Sequence, residues 1–181
     1  MENRYKFLRH INGKIWSANG DCTWKVGAWK RRTGEIELCE NGFHCSQKPL
    51  DALSYVKGEI IAQVEVAGLS DIGHDKECWQ RMKIIHAWHW AKEDSVALAI
   101  FAAEKVIGLY EKQYPGDDRP RKAIEAAKAY LENPARAADA ARAAAYAAYA
   151  AKEKILDEIN EWIIARLPSL QEITNGGDII A

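Results

Sequence analysis

Hydrophobic and polar residues alternate along the first half of the chain. The clearest case is the segment "GEIIAQVEVAG", in which every second residue from Ile60 to Val66 is apolar. A period of two places successive side chains on opposite faces of a β-strand. We therefore predict a strand here, with one face in the core and a mixed opposite face.

Further strands and a short helix follow from the same pattern and its interruptions. "RYKFLRHI" predicts a strand, a Trp-rich hairpin region follows from Lys14 to Glu37, and "RMKIIHAW" predicts a later strand. That later strand would group four side chains on one face: Met82, Ile84, His86 and Trp88. A helix is indicated between Pro49 and Val56, with proline in its first turn, Asp51 near its positive end and Ser46 as an upstream cap.

The second half of the chain changes to helical spacing and is rich in Ala, Glu, Lys and Arg. Apolar positions from Val96 to Tyr110 predict one helix, "YPGDDRP" ends it, and a second stripe runs from Ala123 to Leu131. "AADAARAAAYAAYAAK" has the strongest helix propensity in the chain, and an apolar stripe continues from Ile155 to Ile163 before Pro168.

These segments predict an α+β fold. A mostly antiparallel sheet with a short helix would occupy residues 1–90, an Ala-rich helical bundle residues 91–168, and a tail residues 169–181.

Charge and composition narrow the classes of partner. The formal net charge of −1 disfavours a broad nucleic-acid surface, since non-specific phosphate binding needs a surplus of Lys and Arg. Trp24 and Trp29 lie beside the basic residues Lys30 to Arg32, so a single strand stacked on indole rings stays an alternative. Such a run is more often the solvated face of a hairpin, and we do not favour nucleic acid as the partner.

The same composition predicts a cytoplasmic protein without a membrane partner. No apolar segment is long enough to cross a bilayer, and no signal-peptide pattern stands at the N-terminus. Four irregularly spaced cysteines do not form a secreted disulfide framework, so we expect reduced thiols.

The segment "CENGFHCSQKPLDALSYV" holds the residues best suited to chemistry. Zinc would need Cys39, His44 and Cys45 to be joined by Cys22, by His74 with Cys78, or by His86 with His89. No C-x-x-C motif is present, and adjacent residues of a strand face opposite sides, so we predict no metal. Cys45 precedes the predicted helix, whose dipole would lower its pKa, but no base is evident and we favour a buried structural thiol.

A second polar segment, "DDRPRK", starts the second predicted helix. Arg119, Arg121 and Lys122 oppose the usual preference for acidic residues at a helix N-terminus, and Asp117 and Asp118 precede them. We favour a salt-bridged corner between helices, with Arg119 and Arg121 as the alternative binding residues for a partner.

Two resemblances follow from longer runs of the sequence. "KFLR", "GFHCSQKPLDALSYV" and "IIAQVEVAG" resemble a family of uncharacterised small bacterial and phage domains, over about residues 5 to 90. "DDRPRKAIEAAKAYL" and the Ala/Arg-rich segment after it resemble a helical family of immunity proteins that accompany polymorphic toxins and occur in mobile elements. Neither family supplies residues of established catalytic role.

A third resemblance concerns the order of elements around His44. A glycine turn, a short strand, a helix ending in tyrosine and an apolar strand ending V-x-V-x-G are similar to the nicotinamide-binding core of ADP-ribosyltransferases. That resemblance implies that His44 stacks on the nicotinamide, that Arg9 or His10 holds its ribose, that Tyr55 flanks the ring and that Glu77 is the catalytic carboxylate. Histidine stands where the family has tyrosine, and "RHING" fits the first motif poorly.

The function predicted from the sequence is a non-enzymatic interaction protein, encoded by a phage or mobile element, that inhibits a bacterial protein. Six residues are candidates for binding: Trp24, Trp29, His44, Tyr55, Arg119 and Arg121. An ADP-ribosyltransferase-like enzyme is the first alternative, and a sponge that sequesters a signalling nucleotide is the second. No cofactor is expected except NAD under the enzyme alternative.

Overall fold

The computed structural model describes residues 3–133 and 155–174, and these group into two compact units. The described part of one unit comprises residues 3–90 and 164–174, and that of the other comprises residues 91–133 and 155–163. The first unit is an antiparallel sheet with a short helix, and the second contains helices. The α+β class predicted from the sequence is confirmed.

Seven strands and one helix build the sheet unit. In chain order they are β1 (Arg4–Ile11), β2 (Lys14–Trp16), β3 (Thr23–Trp24), β4 (Trp29–Arg31), β5 (Phe43–Cys45), α1 (Pro49–Tyr55), β6 (Ile60–Ile72) and β7 (Glu77–His89). The strand order is β3-β2-β1-β6-β7-β4. β5 also pairs with β7, at residues 77–79, whereas β4 pairs with residues 81–83 of the same strand. β6 and β7 have 13 residues each and form a hairpin that supplies the centre of the sheet.

The sheet curls until β5 reaches back to β1. Ser46, directly after β5, exchanges two backbone hydrogen bonds with Tyr5 of β1, with N···O distances of 2.8 and 2.9 Å. The predicted helix-capping role of Ser46 is therefore wrong, because its backbone and buried side chain belong to this closure. The N-cap of α1 is Lys48, which makes no side-chain capping bond, while Pro49 does occupy the first turn as predicted.

The concave face of the curled sheet holds the core of this unit. Its apolar side chains include the predicted inward set of β6, Ile60, Ala62 and Val64, together with Leu8 of β1. Tight packing of these branched side chains against one another excludes water from the inside of the curl.

A β-bulge changes which residues of β7 face this core. Gln63 pairs with His86, whereas the next residue, Val64, pairs with Ile84, so Ile85 is an extra residue in β7. An inserted residue reverses the inside-outside alternation of everything after it. The prediction that His86 and Trp88 share a face with Met82 and Ile84 is therefore wrong: Ala87 is the buried residue, and the two rings stack on each other with centroids 5.6 Å apart.

The described helices of the second unit are α2 (Lys92–Gln113), α3 (Arg119–Glu132) and α4 (Leu156–Arg166), the last of which continues into the first unit. α2 and α3 pack through the predicted stripes: Val96, Ile100 and Ala103 meet Ile124, Ala127 and Tyr130. The two predicted helical stripes are confirmed. The predicted Ala-rich helix, from residue 134 to residue 154, lies outside the described residues.

The chain after α4 returns to the sheet. A short 3-10 turn covers Leu167–Ser169, and then Ile173 packs into the sheet core, where its amide donates to the Ala87 carbonyl over 2.8 Å. Residues 169–173 of the expected tail thus take part in the first unit. Residues 175–181 lie outside the described part of the chain.

Candidate ligand pocket in the sheet unit

A pocket of about 300 Å³ opens between β1, β5, α1 and the turn that follows β2. The apolar part of its wall includes Phe43, Ala52 and Val56. The polar side chains that line it include Lys6, Asp21, Arg32, His44, Tyr55 and Lys76. A mostly apolar concavity with a few convergent polar groups is the usual form of a small-molecule site, and this volume is at the lower end of the range.

The turn before β5 depends on backbone conformations that few residues adopt. Gly42 has a φ of +138°, and a Cβ atom placed there would lie 2.3 Å from the Cys78 Sγ atom. Cys39 is a non-glycine residue at a φ of +70°. Its amide donates to the Nε2 atom of His44 over 3.0 Å, so the His44 ring fixes the turn.

His44 acts in this site as a neutral acceptor. Burial lowers its pKa, and the positive charges of Lys6 and Lys76 lower it further. The Nε2 atom accepts from Cys39, which leaves the proton on Nδ1. The ring is therefore suited to shaping the pocket and accepting hydrogen bonds rather than to carrying charge.

Lys6 places an amine at the inner wall of the pocket. It pairs with Ala62 across β1 and β6, so it shares the core face with Leu8. Its Nζ atom donates to the backbone carbonyl of His44 over 2.7 Å. Burial lowers the pKa of Lys6, because desolvation disfavours the ammonium form.

Two further cations border the pocket. The Lys76 ammonium lies 4.8 Å from the centroid of the Tyr55 ring and donates to the Cys39 Sγ atom over 3.0 Å. The Arg32 guanidinium lies 5.2 Å from the centroid of the Phe43 ring and forms an ion pair with Asp21.

Arg9 and His10, the predicted ribose-binding residues, are outside the lining of this pocket. They lie at the far end of β1, where they pair with Trp16 and Ile15 of β2. The His10 backbone amide donates to the Glu59 carboxylate over 3.2 Å, and its Nε2 atom is buried without a hydrogen-bond partner.

Glu77, the predicted catalytic carboxylate, is buried in a different network. It accepts hydrogen bonds from Arg4 at 2.5 Å, from Gln47 at 2.6 Å and from the Trp79 indole at 2.7 Å. Burial raises the pKa of Glu77, but the three donors outweigh it and hold the pKa below its usual value. This carboxylate is ionised, saturated with donors and absent from the lining of the pocket.

The cysteines of this region are thiols in separate environments. Burial raises the pKa of Cys45 to about 12, opposite to the lowering expected from a following helix. α1 has only seven residues, and its dipole does not overcome the desolvation of the sulfur. Within residues 3–133 and 155–174, no three His, Cys, Asp or Glu side chains gather into a metal-binding cluster.

The two candidate tryptophans occupy different environments. Trp24 is buried, donates from its indole to the Ser17 hydroxyl over 2.9 Å and meets Phe43 edge-to-face. Trp29 is 38% exposed, and the cationic groups of Arg81 and Lys83 lie 4.8 and 4.9 Å from its ring centroid. Only Trp29 of this pair offers ring surface to a partner.

The candidate arginines of the helical unit are exposed and paired. Arg119 donates twice to Asp117 at 2.6 and 2.8 Å, and Arg121 donates twice to Glu111 at 2.5 and 2.7 Å. The second pair connects α3 with α2. Both guanidiniums therefore stand at a salt-bridged corner while remaining accessible from solvent.

His44 and Tyr55 are the predicted site residues that the structure brings together at the pocket. Sequence reasoning missed Lys6 and Lys76, and it considered Arg32 only as part of the basic run beside Trp29. A signal for Lys6 was present, since it occupies an inward position of β1 in phase with Leu8, where a lysine is unusual. No local pattern identified Lys76, because only the folding of the β6–β7 hairpin brings this residue to the pocket.

The described residues define a two-unit α+β protein with a small-molecule-sized pocket in its sheet unit. None of its described helices is both long and apolar enough for a transmembrane span. Residues 8–94 match the model of a domain of unknown function, DUF7666, and residues 89–165 match that of the family described as "Imm-5 like putative immunity protein". The two-part recognition made from the sequence is confirmed, and the second match points to an immunity-type protein. No curated protein and no solved structure matches the chain.

Proposed function

We propose that this protein is a non-enzymatic immunity protein, encoded by a phage or mobile element, that binds and inhibits a bacterial toxin protein. The observation that carries the proposal is the match of residues 89–165 to the Imm-5 like family. Immunity proteins of toxin systems act by binding, so the proposal requires a protein partner and no cofactor.

The paired arginines of α3 support a charged contact with that partner. Arg119 and Arg121 are exposed, with 84% and 53% of their side-chain surfaces accessible. Guanidiniums already oriented by Asp117 and Glu111 lose little side-chain freedom when a partner's carboxylate joins them.

Co-expression with candidate toxin domains from the genes that neighbour this one tests the proposal. We expect the wild-type chain to restore growth and to elute with the toxin as one complex. Arg119→Glu with Arg121→Glu should weaken the complex at least about tenfold by reversing two charges. Lys128→Glu is the matched control, because Lys128 forms a similarly exposed α3–α2 ion pair with Glu104.

Two results would count against the proposed function or against the assigned contact. A wild-type chain that neither restores growth nor binds any of these toxin domains contradicts it. Equal loss of binding in Lys128→Glu and in the arginine variant would place the contact elsewhere on the helical unit.

A second candidate function rests on the pocket of the sheet unit. Its walls suit a nucleotide-sized ligand held without chemistry, as the sponge alternative requires. The ADP-ribosyltransferase alternative has weaker support, because Glu77 is bonded to three donors away from the pocket and Arg9 lies at the far end of β1. Calorimetry with ADP-ribose and cyclic nucleotides tests the sponge, with intact ligand recovered afterwards. Absence of binding by all of them refutes it.

A further inference from the structure

Lys6 carries an amine that has no counterion in the described structure. Its hydrogen bond goes to the His44 carbonyl, and no carboxylate among the described residues lies within ion-pair distance of its Nζ atom. An ammonium has three hydrogens to donate, and one acceptor leaves it incompletely satisfied. Burying such a group is costly unless a partner supplies charge and hydrogen bonds.

The rest of the pocket adds positive charge. Arg32 and Lys76 line it together with Lys6, and Asp21, the carboxylate in the lining, is already paired with Arg32. The titratable side chains whose charges act on the Lys6 amine are Cys22, Cys45, Cys78 and Asp21, and the amine acts in turn on His44. At neutral pH a buried thiol whose pKa is raised to about 12, that of Cys45, cannot supply the missing anion.

Part of the wall of this pocket is apolar. Phe43, Ala52 and Val56 line the same space, and Tyr55 stands at its edge with its hydroxyl bonded to Asp75 over 2.6 Å. A ligand complementary to this arrangement has an oxyanion at one end and a compact apolar or aromatic body at the other.

We propose that the pocket binds a small organic oxyanion, a phosphate monoester or a carboxylate, whose anionic group pairs with Lys6 while its apolar body lies against Phe43, Ala52 and Val56. This inference rests on the second candidate function and names its anchoring residue and ligand class. It is independent of the proposed immunity function, which rests on the match of residues 89–165.

Binding of the anion is coupled to a proton. Desolvation favours the neutral amine of Lys6 in the free protein, and a bound oxyanion favours the ammonium. Formation of the complex therefore takes up one proton per anion at a pH between the pKa of the amine in the free protein and its pKa in the complex. Calorimetry in two buffers of different ionisation enthalpy measures this uptake directly.

Small aryl ligands provide the test. The probes are phenyl phosphate, benzoate and, as the uncharged control, benzyl alcohol, at matched ionic strength near pH 8. We expect one of the two anions to bind at least about tenfold more tightly than benzyl alcohol, the value of one charge-assisted hydrogen bond. Which anion binds distinguishes a phosphate from a carboxylate ligand.

Lys6→Met is the decisive variant and Lys14→Met its control, because Lys14 is an exposed lysine of β2 outside the pocket. Methionine has a similar length and, unlike an unpaired ammonium, needs no charged partner when it is buried, so the variant should fold. We expect Lys6→Met to lose the tenfold preference and the proton uptake, and Lys14→Met to keep both.

Three results overturn the inference. They are saturable binding of neither anion to the wild-type chain, equal anion binding by Lys6→Met, and binding without proton uptake at any pH from 7 to 10. If ADP-ribose or a cyclic nucleotide binds equally to the wild-type and Lys6→Met chains, the sponge function stands and only the role of Lys6 fails.

Discussion

Replacing Glu77 with glutamine should destabilise the sheet unit strongly. The carboxylate is 3% exposed and accepts from Arg4, Gln47 and Trp79, whereas a glutamine side chain directs an NH₂ group at one of these donors. Breaking a buried ion pair on one side costs about 3–5 kcal/mol. Because the Arg4 side chain retains partial exposure, we expect about 3 kcal/mol, at the lower end of that range.

Urea unfolding followed by tryptophan fluorescence measures this loss, since six of the seven tryptophans precede residue 91. The matched control is Glu40→Gln, which changes an exposed carboxylate of the same unit and should shift stability by less than about 0.5 kcal/mol. A catalytic role for Glu77 predicts instead that Glu77→Gln folds with wild-type stability and loses only activity.

The pH dependence of the unfolding free energy provides a second test of the role of Glu77. The pKa of Glu77 is lower in the folded protein than in the unfolded chain, so its stabilisation is fully present above about pH 4.3, the usual value. It is lost as the pH falls through the lowered folded pKa. The difference in unfolding free energy between wild type and Glu77→Gln should therefore shrink below about pH 4. A constant difference between pH 7 and pH 3 would refute the assigned role of the carboxylate.

Three further experiments test the local geometry of the sheet unit. Gly42→Ala should lower the unfolding free energy by at least about 2 kcal/mol, because its positive φ and its contact with the neighbouring thiol both exclude a Cβ atom; wild-type stability in urea would contradict this. In the native protein a thiol reagent should label exposed Cys39 well before buried Cys45, as mass spectrometry of labelled peptides would show, and equal rates would contradict the burial of the latter. Ala87→Asn should lower the unfolding free energy by at least about 2 kcal/mol because Ala87 is buried, and His86→Asn should lower it by less than about 1 kcal/mol. The reverse order in urea unfolding would rule out the bulge in β7.

Local periodicity predicted the elements of this protein well. The alternation around Ile60 and Val64 identified β6 and its inward face, and the stripes beginning at Val96 and Ala123 identified α2 and α3. These predictions hold because side-chain direction follows sequence spacing wherever a strand or helix is regular.

The candidate site was predicted in part. The sequence singled out His44 and Tyr55, which line one pocket, but it assigned chemistry to Glu77, whose carboxylate is bonded elsewhere. A carboxylate's role depends on its donors, and Arg4 lies 73 positions away along the chain. Lys6 was missed for the same reason, since its environment is created by strands that are distant in sequence.

The sequence by itself determined the α+β class, the positions of the main strand and helices, and the two-part resemblance. Only the tertiary structure decided that Ile85 is an extra residue, so that Ala87 and not His86 shares the buried face with Ile84. It likewise decided that Ser46 closes the sheet onto β1, which encloses Lys6 beside the pocket. Register and closure depend on which strands pair, and pairing is fixed by packing between distant segments rather than by the local alternation of side chains.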